Sequence, residues 1–275
     1  MRYLIIAVSF FISISAAQAQ RGWEAGGLIG VSHYFGDLNT DFRLTDPGRA
    51  VAVAARFNFN ERICLRFSGN YGEVSAYDSD SENLFELARN LSFQSTILEG
   101  NAQLEFNFLP YLHGSKDNFF TPYVLAGLST VHFNPMTEYD GQLVELRPLG
   151  TEGQFKGEEY RKSSLAINYG FGLKLDINYY WSINVELSGR RMATDYLDDV
   201  STVYADKDDI QQIHGELGAI LSDRSIPVDG VDQNLLTQPG RQRGNASTND
   251  SFAYFRVGIM HYFGDIKCPE YGSRR

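Results

Sequence analysis

Residues 165–177 read L-A-I-N-Y-G-F-G-L-K-L-D-I. Leu165, Ile167, Tyr169, Phe171, Leu173, Leu175 and Ile177 are large and apolar, whereas Ala166, Asn168, Gly170, Gly172, Lys174 and Asp176 are small, polar or charged. A period of two is that of a β-strand with two unlike faces. Such a strand fits a soluble sandwich, and it equally fits a membrane barrel with lipid outside and a polar lumen. The surrounding sequence decides between them.

Seven further stretches read as strands. The first, 23–37, sets Ala25, Ile29, Val31 and Phe35 against Glu24, Gly26, Gly30 and Ser32. The second, 50–58, turns Val51, Val53, Ala55 and Phe57 outward and Arg56 and Asn58 inward. In the third, 63–73, Ile63, Leu65, Phe67 and Tyr71 oppose Cys64, Arg66, Ser68 and Asn70. The fourth, 95–108, carries Leu98, Leu104, Phe106 and Phe108 outside and Glu99, Gln103 and Glu105 inside. The fifth, 121–133, lacks charge, so its faces stay unassigned. The quoted stretch is the sixth. In the seventh, 181–191, Trp181, Ile183, Val185 and Leu187 oppose Asn184, Glu186 and Arg190. In the eighth, 252–263, Phe255, Val257, Ile259 and Phe263 oppose Arg256, Gly258 and Met260.

The connections alternate in length: 38–49, 74–94, 134–163 and 197–251 are long, and 59–62, 109–119 and 178–180 are shorter. In an up-and-down barrel every second connection lies on the same side of the membrane, with short periplasmic turns and long external loops. A sandwich has no reason to alternate this way. The expected fold is therefore all-β: an eight-stranded antiparallel up-and-down transmembrane β-barrel with long extracellular loops, short periplasmic turns and both termini in the periplasm. Within the loops, 81–90 has the spacing of a helical turn or two. The polar segment 205–250 reads as an extended, partly mobile extracellular loop.

The N-terminus supports this. Arg2, the apolar run from Leu4 to Ile14 and Ala17-Gln18-Ala19 form a secretory signal over residues 1–19, leaving 20–275 as the barrel. The apolar run is too short for a membrane anchor. Sixteen Tyr, 19 Phe and 26 Gly suit a barrel with aromatic girdles. The net charge of −10 argues against nucleic acid as a partner. Two cysteines, Cys64 and Cys268, are too few for a disulfide scaffold, and sequence leaves their pairing open.

The inward charges number five of each sign: Arg56, Arg66, Lys174, Arg190 and Arg256 against Glu24, Glu99, Glu105, Asp176 and Glu186. An eight-stranded barrel is narrow enough for side chains to fill. The balance predicts an ion-pair network that plugs the lumen. No catalytic spacing, such as H-E-x-x-H, C-x-x-C or G-x-S-x-G, occurs, so the chain reads as non-enzymatic and without cofactor. His261 shares the lipid-facing parity of its strand and reads as a girdle residue rather than a base for Ser32 or Ser68. Two acidic clusters, 78–82 and Asp195, Asp198 and Asp199 with Asp206, Asp208 and Asp209, lack the spacing of a calcium loop and read as solvated acid.

Five segments carry a family resemblance: Y-F-G-D-L-N (34–39), R-N-L-S-F (89–93), P-L-G-T-E-G-Q (148–154), T-D-Y-L-D-D-V-S (194–201) and Y-F-G-D-I-K-C-P (262–269). In them the chain resembles the PorG family of outer-membrane proteins of the type IX secretion system. The resemblance implies a small barrel that associates with a periplasmic ring, made of a lipoprotein and its partner (PorK and PorN, or their gliding-motility counterparts), and ties that ring to the outer membrane and its lipids. Substrates would pass through a separate translocon. The expected topology then gives a candidate partner surface at the periplasmic end: Arg62, Tyr111, His113, Lys116, Tyr179, Tyr180, Lys267, Cys268 and Pro269. The rival reading is a generic small barrel that adheres or binds through its external loops.

Overall fold

The computed structural model describes residues 21–264, so the signal sequence and Lys267, Cys268 and Pro269 lie outside the described residues. Eight long strands form the barrel: β1 (Gly22–Phe35), β2 (Gly48–Asn58), β3 (Ile63–Tyr77), β4 (Ser92–Asn107), β5 (Phe120–Tyr139), β7 (Ser163–Asp176), β8 (Trp181–Met192) and β9 (Ser251–Tyr262). A short β6 (Gln142–Glu145) pairs only with the end of β5. Each long strand is antiparallel to its sequence neighbours, β1 pairs with β9, and the β4–β5 pairing closes the circle. No edge is left within the closed wall, so backbone donors and acceptors are satisfied without water.

The expected faces hold throughout. Outward side chains are apolar and exposed; Ile29, Val53, Leu128 and Leu165 each show about two-thirds of their surface (68%, 67%, 66% and 64%). A continuous exposed apolar belt around a closed sheet is the outside of a membrane-spanning barrel. Among the described residues no helix is long and apolar enough to cross a membrane. The uncharged stretch 121–133 of β5 resolves as well: Thr121, Tyr123, Leu125, Ser129, Val131 and Phe133 point inward. Its largest inward groups are apolar, which is why polarity alone could not orient it.

The two ends differ. At the turn end, 59–62 and 177–180 are tight, and both use an asparagine in the same way. Asn60 Oδ1 accepts from the Arg62 and Ile63 N–H groups, and Asn178 Oδ1 accepts from those of Tyr180 and Trp181. Trp23 lies 5.1 Å from Phe57, and His261 sits among Tyr180, Trp181 and Phe263, as expected of a girdle residue.

At the other end β3, β4 and β5 run further than the sequence pattern indicated, to Tyr77, from Ser92 and to Tyr139. Their inward Val74, Phe93, Ile97, Val131 and Phe133 join Leu146, Leu197, Val200 and Leu221 from the loops in one apolar core. Burial against the loops, not lipid, holds these extensions. The loops carry α1 (Leu84–Arg89), where a helical turn was expected, and α2 (Lys207–His214), α3 (Glu216–Ser222) and α4 (Gln233–Leu236). The segment 205–250 is thus no loose extension: Ile210, Leu221, Leu236 and Arg243 are buried in the cap.

Candidate functional site

The lumen brings all ten predicted charged residues inside. Glu105 is the hub. Its carboxylate takes Arg56 Nε at 2.8 Å, Arg66 Nε at 3.1 Å and Lys174 Nζ at 2.8 Å. Arg56 also reaches Glu24 at 2.9 Å, and Arg66 pairs with Glu186. Glu186 takes Arg256 at 2.7 Å and accepts from the Tyr123 hydroxyl at 3.0 Å. Arg190 pairs with Glu99 at 3.1 Å, and Arg190 and Arg256 each lie 4.7 Å from the Tyr254 ring. Every second residue of these strands points inward, and opposite signs meet both between neighbouring strands, as in Glu24–Arg56 and Glu186–Arg256, and across the lumen, as in Lys174–Glu105 and Arg190–Glu99. Cys64 is buried beside Lys174, Sγ to Nζ 3.6 Å. Side chains fill this lumen; they do not line a channel.

Two residues expected on the partner surface are not there. Tyr111 and His113 are buried, each 5% exposed. The 108–119 connection folds up into the barrel mouth. His113 inserts between Glu24 (3.2 Å) and Asp176 (3.0 Å) and stacks on Tyr262 at 4.4 Å, while the Tyr111 hydroxyl donates to Asp176. The reason is electrostatic: neither Asp176 nor the second oxygen of Glu24 has an arginine of its own, and the imidazole supplies the missing cation. Sequence offered one hint, a connection too long for a tight turn. Lys116, Tyr179 and Tyr180 remain exposed at the turn end, and Arg62 lies beside them, its guanidinium donating to the Phe108 carbonyl at 2.7 Å.

Burial would lower the His113 pKa, but its hydrogen bonds and attraction to Asp176 and Glu24 outweigh burial and raise it to about 9. The charged plug therefore stabilises fully below the ordinary histidine value near 6.5, and that contribution is lost as pH rises through 9. We expect the unfolding free energy to fall by on the order of 2–3 kcal/mol between pH 6.5 and 9, and His113→Gln to flatten the profile in that window. An unchanged slope in the variant would show that the plug does not carry the charge.

The loop end holds a second polar constellation, missed from sequence because its parts are far apart in the chain. Arg89 donates to Asp78 at 2.7 and 2.8 Å and to the carbonyls of Asp37 (2.7 Å) and Arg243 (2.6 Å). Arg243 in turn donates to the Asp199 carbonyl at 2.7 Å and to Glu152 at 3.2 Å. Thr151 and the Tyr160 hydroxyl hold the Asp199 carboxylate, at 2.5 and 2.6 Å. Tyr34 lies between Asp198 (2.6 Å) and Asp250 (2.7 Å). The acidic clusters read as solvated are thus, at Asp78, Asp195, Asp198 and Asp199, buried. Among the described residues no group of three or more His, Cys, Asp or Glu is arranged to hold a metal ion.

Buried acids without cations keep their protons. Burial, then the neighbouring Asp250 and Asp37 carboxylates, raise Asp195 to about 8, and burial raises Asp250 to about 8 against the bonds it accepts from Tyr34 and Leu197. Between about pH 4 and 8 the folded cap binds more protons than the unfolded chain, so it weakens as pH rises and levels off above 8. Protease cleavage within 193–250 should therefore quicken from pH 6 to 8, and Asp195→Asn should reduce the change. Equal cleavage at both pH values would count against protonated acids here.

Similar proteins were found by family and by shape. No curated protein matches the chain. Solved structures similar to it include Ail, the attachment invasion locus protein of Yersinia pestis (10% identity, TM-score 0.39, covering 90% of this chain and 100% of that one). Neisserial surface protein A (NspA) is similar at 11% identity with TM-score 0.42, over 88% and 97% of the two chains. The outer membrane protein OprG from Pseudomonas aeruginosa is similar at 10% identity with TM-score 0.40, over 90% and 98%. The family model described as a domain of unknown function, DUF6089, matches residues 2–223, and the chain belongs to that family.

Proposed function

We propose that this barrel is a non-enzymatic, integral outer-membrane component of the type IX secretion machinery. In this reading its long loops face outward, both termini are periplasmic, and the turn end anchors or stabilises a periplasmic ring of a PorK-like lipoprotein and its PorN-like partner. The observation that carries the reading is the filled lumen. With side chains plugging the interior, the strands offer substrates no path, and function moves to the rims. The resemblance of five sequence segments to PorG-like proteins supports the choice of machine. At the turn rim the exposed candidates are Lys116, Tyr179 and Tyr180, with Arg62 at their side; Tyr111 and His113 leave the set because they plug the barrel.

Affinity purification of the tagged barrel from membranes in mild detergent is expected to bring down the ring proteins. Combining Lys116→Glu, Tyr179→Ser and Tyr180→Ser should cut their yield several-fold while the barrel still folds. Deletion of the barrel should trap exported proteins in the periplasm. A deletion strain that secretes normally but adheres poorly would instead favour a surface-binding role for the loops.

A further inference from the structure

A cavity of about 1360 Å³ lies outside the barrel, between the upper wall of β1, β9, β8 and β7 and the loops that overhang it. We propose that this groove holds a phosphorylated glycolipid of the surrounding leaflet, with its acyl chains along the wall and a phosphate on Arg191. The inference is separate from the ring role and rests only on the loop end facing outward.

The floor is built for a chain. Gly189 and Ala253 pair across β8 and β9, and His33 and Tyr169 flank them in the same outward row. Two small residues side by side leave a trough between larger ones. A Cβ on Gly189 would sit 3.0 Å from the Tyr169 ring, so a larger residue there would push that ring outward by a few tenths of an ångström. Below, Phe171, Leu187 and Phe255 are exposed and continuous with the lipid-facing belt. Above, Phe42 is the lip. It is a non-glycine residue in the left-handed region (φ 54°), it is 73% exposed, and its ring lies 5.3 Å from that of Phe35. A strained backbone that exposes an aromatic ring to the groove points to a ligand that covers it.

Arg191 supplies the charge. The other outward residues of β7, β8 and β9 include no Lys, Arg, Asp or Glu, and Arg191 is exposed, its guanidinium making no hydrogen bond or ion pair among the described residues. A lone guanidinium at the top of a lipid-facing wall fits a phosphate at headgroup depth, where its planar fork takes two oxygens. The groove is also lined by Gln242, Asn245, Thr248 and Asn249, whose amides and hydroxyls suit sugar hydroxyls. Asp37 and Glu86 also line the groove, engaged by the Asn245 N–H (2.7 Å) and Thr40 hydroxyl (2.7 Å). Their negative charge disfavours a phosphate beside them and favours one on Arg191.

The test uses the full chain isolated from membranes and measures retained lipid by native mass spectrometry. The probes are lipid A (a phosphorylated, multiply acylated glucosamine disaccharide), its dephosphorylated form and phosphatidylglycerol. Lipid A should bind at least tenfold more tightly than either. Arg191→Gln should erase its advantage over the dephosphorylated form, and Ala253→Phe should reduce retention of all three by filling the trough. Both positions face outward, so the fold should persist. Equal retention of phosphorylated and dephosphorylated lipid, or an Arg191→Gln protein that binds as before, would overturn the proposal. Phosphatidylglycerol retained as tightly as lipid A would overturn its sugar specificity. Protease cleavage of the loops on intact cells reports the orientation separately, so loops shown to face outward with no lipid A preference would count against this inference alone.

Discussion

Replacing Glu105 with leucine is expected to lower the unfolding free energy by about 3–5 kcal/mol. The carboxylate neutralises Arg56, Arg66 and Lys174 at once, and every group involved is buried. Its loss strands positive charge in a lumen that water does not reach, where an unpaired ion is far costlier than a missing apolar contact. Adding Lys174→Met should recover part of the loss, because one orphaned cation goes with it. The exposed Lys162–Glu145 pair at 3.0 Å is the control; Glu145→Leu should shift stability by less than about 1 kcal/mol. Urea unfolding in detergent, followed by the mobility shift of folded barrels on gels, reads all four proteins. A Glu105→Leu loss no larger than the control's would mean the lumen is wetter and more forgiving than its geometry indicates.

Arg89→Met should act on the cap and spare the wall. The guanidinium joins Asp78 to the backbones at Asp37 and Arg243, so three separate loops meet on one side chain. Leaving Asp78 buried and unpaired costs about 3 kcal/mol or more locally. Loop opening and barrel unfolding are distinct events in a protein whose elements differ in stability. Limited proteolysis should therefore cut 193–250 at least tenfold faster in the variant, while the urea midpoint of the barrel moves little. A matching fall in both would make cap and barrel one cooperative unit.

The wall and lumen were legible because a strand's period of two is a local signal and charge marks the inner face. Residues such as Arg66 and Glu186 declare their side without knowledge of their partners. The same logic failed at β5, whose inner Tyr123, Val131 and Phe133 resemble an outer face. It failed at Tyr111 and His113 because a turn's depth depends on a charge deficit elsewhere, at Asp176 and Glu24. The cap was illegible for a related reason: Asp37, Asp78, Arg89, Glu152, Asp199 and Arg243 meet from segments that no short-range pattern connects. The family-like segments mark it nonetheless. Tyr34, Arg89, Glu152 and Asp198, one from each of the first four, all fall in this cap and not at the turn rim. Even 205–250, without a matching segment, contributes Arg243 to its centre.

The aromatic girdle at the turn end makes the molecule optically one-sided. Both tryptophans of the chain, Trp23 and Trp181, sit there about half exposed (50% and 43%), and the loop end has none. Intrinsic emission therefore samples a single membrane interface. Quenchers held at known depths in one leaflet would find both indoles together, so the handedness of insertion can be read from the unlabelled protein by which leaflet's quencher dims it.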